Sequence, residues 1–321
     1  MNSELSRRGF LGLAATTGLA VASAASASAA PDGVTVNHAF GSTHIPAPPR
    51  RVVSAGFTEQ DDLLALGVVP VATTEWFGNQ PYAVWPWAQP RLGGAQPTVL
   101  SLANGIQIDR IAALRPDLIV AVNAGVDAKS YERLSAIAPT IPQAGPAPFF
   151  EPWKQQATAI AQAVFRPEAM KSQIEAIDTA FTNLARTFPQ FQGKSIASLQ
   201  GSTRWQDSAI ATRAGWKTEW LTRMGFVIPA ELDAFGRPDD DRAYIPLDQI
   251  EAVLGGVDVL LWRTESDADV AALQAIPAVA AFGSRNVFTT GEQSGAIAFT
   301  SPLSFPLVAD QLPPLLARAV N

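Results

Sequence analysis

Two phrases recur in the same order in the two halves of this chain, and the duplication limits the folds open to it more than any other feature. Asp109-Arg-Ile-Ala-Ala-Leu-Arg-Pro-Asp-Leu-Ile-Val is echoed by Asp248-Gln-Ile-Glu-Ala-Val-Leu and then, after Gly255-Gly256, by Val257-Asp-Val-Leu-Leu. Leu66-Gly-Val-Val-Pro is echoed by Met224-Gly-Phe-Val-Ile-Pro. In each copy a short helical pattern ends at a turn and an aliphatic run follows, which is the signature of a βα unit. One such set per half predicts two α/β lobes with parallel-type sheets and a ligand cleft between them.

The remaining residues extend the alternation. Arg51–Ser54 reads as a short buried strand, Thr58-Glu59-Gln60-Asp61 as the start of a helix through Leu66, Gly67 as its stop and Val68–Ala72 as the next strand. Past a Pro-, Trp- and Gly-rich stretch from Phe77 to Pro97 come helix Asp109–Leu114, strand Leu118–Val122, helix Asp127–Ala136 and the pair Thr140-Ile141. Residues 152–188 change texture, with Ile174, Ile177, Phe181 and Leu184 at helical spacing and Pro167 suited to a first turn, so one long rigid helix is expected between the lobes. From Lys194 strands are expected at Ser195–Leu199, Phe226–Val227, Val257–Trp262 and Asn286–Phe288. The helices between and after them are Gly215–Met224, Pro246–Leu254, Asp267–Leu273 and Phe305–Ala319. The expected division is a signal over 1–29, an N-terminal lobe over 30–150, a linking helical segment over 151–190 and a C-terminal lobe over 191–321.

The beginning of the chain has a separate purpose. Ser6-Arg7-Arg8-Gly9-Phe10-Leu11 opens a run of 23 residues, Gly9 to Pro31, without a charge, and that run is mostly Ala, Gly, Ser and Thr. Such a weakly apolar stretch suits a removable export segment better than a permanent anchor. Paired arginines before it resemble a twin-arginine signal, and Ala27-Ser28-Ala29 offers a small-x-small site with cleavage after Ala29. The protein is therefore expected outside the cytoplasm, soluble in the periplasm or cell-envelope space. Of 23 basic and 29 acidic residues, Arg7, Arg8 and Glu4 would leave with the signal, so the mature chain carries a net charge of −7 and nucleic acid is a poor partner. The absence of Cys removes disulfides, thiol chemistry and a lipid-acceptor residue.

The run Arg51 to Gly67, the Asp109 phrase, Tyr131-Glu-Arg-Leu-Ser-Ala-Ile-Ala-Pro-Thr, the expected central helix and Asp248-Gln-Ile together resemble the iron-siderophore substrate-binding proteins of ABC importers. The likeness covers essentially all of the mature chain. It implies two α/β lobes joined by a rigid helix, and a bulky ligand (ferric siderophore, ferric citrate, haem or cobalamin) held between them. It also implies delivery by a monomer to an ABC permease and its ATPase, after export by the twin-arginine translocase. In that family one acidic residue per lobe meets permease arginines, and the matching positions here are Asp109 and Asp248. The purely local reading of both is a carboxylate capping a helix start.

Loops at the carboxyl ends of parallel strands form the crevice of such sheets, and here they are aromatic. Trp76, Tyr82, Trp85 and Trp87 follow one strand, Asn123 another, Arg204 and Trp205 a third, and Trp262 and Arg263 close a fourth; Tyr244 completes the candidate set. A ferric siderophore has apolar walls and, often, net negative charge, to which flat rings and guanidinium forks are suited. For Trp85 and Trp87 the competing reading is a cover over the lobe's own core, and Trp153, Trp216 and Trp220, in expected helices, read as core. No resident cofactor is expected and iron should arrive already chelated. His38 and His44 lack a partner at helical spacing, Tyr82, Tyr131 and Tyr244 never adjoin, and Asp239-Asp240-Asp241 lacks a calcium-loop pattern. Enzyme motifs are likewise missing: no Gly-x-Ser-x-Gly, phosphate loop, Gly-x-Gly-x-x-Gly or His-Glu-x-x-His occurs. A secreted carbohydrate-active enzyme is the enzymatic alternative, since an aromatic cleft with carboxylates suits sugars.

Overall fold

Residues 33–203 and 207–320 are described by a computed structural model; the export segment and the candidates Arg204 and Trp205 lie outside the described residues. An antiparallel hairpin of β1 (Val34–His38) and β2 (Gly41–Ile45) precedes the first lobe. His38 is buried on this hairpin, its Nε2 2.9 Å from Thr43 Oγ1 and 3.2 Å from the Tyr131 hydroxyl, so it has a packing role.

Lobe one then runs β3 (Val52–Ser54), α1 (Glu59–Ala65), β4 (Ala72–Glu75), β5 (Thr98–Ser101), α2 (Ile108–Ala113), β6 (Leu118–Ala121), α3 (Ala128–Ser135) and β7 (Thr140–Pro142). Its sheet is parallel throughout in the order β5-β4-β3-β6-β7. The aliphatic run Val68–Val71 does not form the strand the sequence suggests: pairing begins at Ala72, and Thr73 and Thr74 lie wholly buried in it. Their hydroxyls donate to the carbonyls of Tyr82 and Ser54, which removes the cost of burying them.

The linking segment is two helices, where the sequence suggests one. α4 (Trp153–Ala163) packs on α1 and β1, whereas α5 (Pro167–Thr187) crosses to the second lobe. The break falls at Phe165, whose φ of 62° is left-handed, and Pro167 starts the next helix.

Lobe two comprises β8 (Ile196–Gln200), β9 (Ser208–Thr212), α6 (Glu219–Arg223), β10 (Arg242–Pro246), α7 (Ile250–Leu254), β11 (Val259–Arg263), α8 (Asp267–Gln274), α9 (Pro277–Ala280), β12 (Asn286–Phe288), α10 (Gly291–Phe299) and α11 (Phe305–Val320). Its strand order, β10-β9-β8-β11-β12, repeats that of lobe one position for position. The direction of one strand differs. β9 is antiparallel to both β8 and β10, so this sheet is mixed, while β8, β11 and β12 keep the parallel arrangement expected. The Phe226–Val227 strand reduces to a single bridge between Ser195 and Val227. In both lobes the strand order reverses once, between β3 and β6 in one and between β8 and β11 in the other.

Candidate functional site

A cleft of about 1090 Å³ opens between the lobes. Lobe one contributes an aromatic wall. Trp76 and Phe77 follow β4, and Phe149 and Phe150 follow β7; Trp76 lies 5.0 Å from the Phe150 ring and 5.6 Å, stacked, from Phe57. Phe149 keeps 37% of its surface exposed, one of the few large apolar side chains to do so, and it faces this cleft. Phe150 has φ 56°, a left-handed backbone that is costly for a bulky residue and that its surroundings must hold in place.

Asn123 does the holding. It is 1% exposed; its side-chain oxygen accepts from the Phe150 amide at 3.0 Å, and its side-chain nitrogen donates to Thr58 Oγ1 at 3.2 Å. The sequence-based ligand contact at Asn123 is therefore corrected: a residue with both ends engaged and no exposed surface positions the wall and does not touch what enters. Beneath it the Asn123 amide donates to Glu59 Oε1 at 2.8 Å. Gly56 is needed at this point, since a Cβ there would collide with the Glu59 carboxylate.

Glu59, Asp61 and Asp62, the acidic residues in the first turn of α1, are all buried. Burial pushes the Glu59 carboxyl up to about 7, against the hydrogen bonds from backbone amides that favour its anion. Asp61 is pushed up to about 6 by burial, opposed by hydrogen bonds from Ser301 and Trp87, and Asp62 is raised well above the usual range by burial and by its two acidic neighbours. Asp61 Oδ2 accepts from Trp87 Nε1 at 2.8 Å and from Ser301 Oγ, in lobe two, at 2.5 Å. Asp62 Oδ2 accepts from Gln156 Nε2 of α4 at 2.8 Å. These groups form a polar seam where the lobes meet behind the cleft.

That seam claims three of the candidate ligand residues. Trp85 is only 4% exposed, stacked on Trp87 at 5.0 Å and inserted against Gly295 of α10, where a Cβ would strike the indole. Trp87 is tied to Asp61, and Tyr82, with φ 58°, packs over Leu64 and Val84. None of the three lines the cleft; the aromatic loop after β4 fills the junction between lobes because its apolar rings are better sheltered there. Trp262 is likewise corrected: it is fully buried in lobe two, with its indole donating to Asn286 Oδ1 at 2.9 Å. Tyr244 donates to Asp240 Oδ2 at 2.8 Å and carries Arg237 and Arg242 over its ring, so it buttresses the cleft's rim from outside.

Lobe two supplies the opposite wall through Ser198, Gln200, Gly201, Thr212, Trp216 and Arg263. Arg263 is partly buried at the end of β11, its guanidinium donating to the Leu199 carbonyl at 3.4 Å and Thr212 Oγ1 at 3.5 Å. Desolvation lowers its pKa and the carboxylate of Asp241 opposes that. Trp216, read from the sequence as core, stands on this wall instead. Lys217 beside it reaches over the cleft, its Nζ 5.1 Å from the Phe150 ring and 2.6 Å from Asp241. Phe149, Phe150, Trp216 and Phe77 are the aromatic contributors that sequence reasoning missed. A Phe pair after the Pro-rich turn that follows a predicted strand was the available signal for the first two.

Asp109 and Asp248 lie away from the cleft, both exposed, Asp109 with its whole side chain in solvent. Each stands in the connection between the third and fourth strands of its sheet, so the two are topologically equivalent. The N-cap places are held by Gln107 and Pro246, so both carboxylates stand within the first turn, where the helix dipole favours them, and Asp109 lies 3.8 Å from the Arg133 guanidinium. Among the described residues no group of His, Cys, Asp and Glu is arranged to hold a metal ion, and no helix is long and apolar enough to cross a membrane.

With this geometry in view, likeness to known proteins becomes informative. A family model described as "Periplasmic binding protein" matches residues 52–293. The "Probable siderophore-binding lipoprotein YfiY" of Bacillus subtilis (strain 168) is 30% identical over 236 residues, 72% of this chain and 68% of that protein. The crystal structure of a periplasmic solute binding protein from Mycobacterium smegmatis str. MC2 155 matches with a TM-score of 0.85 at 55% identity, covering 90% of this chain and 99% of the other. Streptococcus pneumoniae TIGR4 PiaA in complex with ferrichrome matches with a TM-score of 0.73 over 89% of this chain and 98% of that one, at 21% identity, which is a likeness of fold.

Proposed function

Because this chain belongs to the periplasmic binding protein family, we propose that it captures a ferric-siderophore-type chelate between its lobes and delivers it to the permease of an ABC importer. The observation that carries this reading is the cleft itself. At about 1090 Å³ it lies at the upper end of the range for small-molecule sites, and its walls carry Trp76, Phe149, Phe150 and Trp216 with the Arg263 guanidinium between them. Those are contacts for a bulky, flat-sided complex presenting oxygen atoms to a single fork. Iron enters as part of that cargo.

Delivery rests on Asp109 and Asp248. Two exposed carboxylates at equivalent places on the two lobes, Asp109 held only by a long surface contact to Arg133, suit a docking surface read by a pair of permease arginines, for which steering and register matter more than contact energy. Export through a twin-arginine signal with removal near Ala29 is part of the same reading and rests on the sequence of residues 1–29.

Intrinsic fluorescence tests the ligand. Trp76 and Trp216 line the cleft, so a ferric chelate that binds there should quench emission saturably, whereas the iron-free chelator should do so weakly. Haem and cobalamin belong in the same titration. Tight quenching by either of these, with no response to any ferric siderophore, would move the assignment to that ligand; silence toward all of them in a stably folded protein would remove it.

A further inference from the structure

The charges in the cleft are unevenly matched. Three cations line it, Lys217, Arg242 and Arg263. Two are already engaged, Lys217 with Asp241 at 2.6 Å and Arg242 with Asp240 at 2.8 Å. Arg263 is left as the cation without a carboxylate partner among the described residues. Four further carboxylates, Glu151, Asp239, Glu265 and Asp269, line the same space and form no ion pair among the described residues.

Two of the four differ in depth. Glu151 is 7% exposed, and while its Oε2 accepts from the Ala144 amide at 2.7 Å, its Oε1 makes no hydrogen bond. Glu265 is exposed at the cleft's edge, where partial burial and the nearby Asp269 nudge its carboxyl upward. Each would gain from a donor or a positive group brought in by a ligand, and each would be further raised by an anion. Placement sharpens the asymmetry. The apolar wall belongs to lobe one, and Asp239, Glu265 and Asp269 all belong to lobe two. Arg204, which lies outside the described residues, would add one positive charge and would not reverse the balance of four unpaired acids against one unpaired cation.

We infer that the cleft selects a ferric chelate without net negative charge, uncharged or cationic as ferric trihydroxamates are, and rejects the anionic class formed by catecholate and carboxylate donors. The chelate's apolar flank lies against Phe149, Phe150 and Trp76, its oxygen-rich face meets Arg263, and any ammonium or amide donors point to Glu265, Asp269 and Asp239. This rests on the ferric-chelate reading above and reverses the expectation, drawn from the sequence, of an anionic cargo.

The test titrates three probes into the mature protein and follows tryptophan emission: a linear ferric trihydroxamate bearing a free ammonium group, neutral ferrichrome, and a triply anionic ferric tris-catecholate. At low salt the first two should bind about tenfold or more tighter than the third, and the gap should narrow as salt is added. The double variant Asp239→Asn, Glu265→Gln should narrow the gap at low salt as well, mainly by improving the anionic probe, with melting temperature confirming that the variant is folded. A tris-catecholate that binds as tightly as ferrichrome overturns the inference and leaves the ferric-chelate function standing. A preference unchanged in the double variant also overturns it, since the carboxylates would then not be its source. Failure of all three probes removes the functional reading and this inference together.

Discussion

Asp61→Asn isolates the energetics of the seam between the lobes. Asp61 Oδ2 accepts from both Trp87 Nε1 and Ser301 Oγ, while its Oδ1 is buried with no partner. Asparagine has nearly the same shape and can place its carbonyl oxygen where Oδ2 stands, keeping both hydrogen bonds; the amide nitrogen then replaces an oxygen that was unpartnered already. What changes is charge. Burial moves the folded carboxyl from its ordinary 3.8 to about 6, a difference worth about 3 kcal/mol of unfavourable ionisation at neutral pH. Bonds to a neutral acceptor are weaker by roughly 1 kcal/mol in sum, so the variant should be more stable by about 1–3 kcal/mol at about pH 7.5, a rise of several degrees in Tm.

The pH profile carries the sharper signature. A folded pKa above the unfolded one means that the folded state holds more protons between about pH 4 and pH 6, so this group's stabilising contribution is intact at the acid end and is lost as pH rises through that window. The advantage of Asp61→Asn should therefore shrink toward zero as pH falls to about 4.5, where the parent is itself protonated. Thermal unfolding of both proteins across this range is the assay, and their difference cancels the titrating groups that Asp61 does not influence, His38 included, while Asp62, relieved of a neighbouring charge, shifts in the same stabilising direction. If the variant is less stable than the parent by the same amount at both ends, the seam requires a carboxylate anion and the reasoning fails.

Further predictions concern the walls and the outer surface. Phe149→Ala should weaken ferric-chelate binding by about 1–2 kcal/mol with Tm nearly unchanged, because its ring is already partly in solvent; a large fall in Tm with unaltered affinity would make it a packing residue. Gly295→Ala drives a methyl into the Trp85 indole, which is itself locked on Trp87, and should cost about 1–3 kcal/mol of stability in a denaturant titration; a neutral result would mean that the seam yields easily. Asp109→Arg combined with Asp248→Arg should leave chelate affinity and melting intact while abolishing uptake in cells, and normal uptake by the exported double variant would remove both residues from any docking role.

The doubled α/β plan was legible because helix stops and aliphatic strands repeat in the letters, and the fold returns that repeat as one strand order used twice. Three departures have local causes. Thr73 and Thr74 hide a buried strand because carbonyls, and not water, satisfy their hydroxyls. Phe165 breaks a run whose apolar spacing continues on either side, since a left-handed backbone leaves no mark in the periodicity. α10 was overlooked although Thr290 and Gln293 spell a capping box at its start. The site was less readable than the fold. Which rings face the cleft depends on how the lobes close on each other, and Trp85 and Trp76, nine residues apart in one loop, end on opposite sides of that decision.

The main chain passes from lobe one to lobe two along α5, 21 residues that span about 32 Å as an unbroken column of hydrogen bonds. Bending such a column strains many bonds at once, and the Asp61–Ser301 bond and the Trp85 insertion resist sliding behind it. Mechanically the molecule is a stiff clip: the gap between its jaws is set by the spine before any cargo arrives. Capture then spends little ordering entropy, and selection falls on whether a complex matches a fixed width. On the proposed reading, a chelate too thick would have to strain that column, and one too thin would leave part of the gap unfilled.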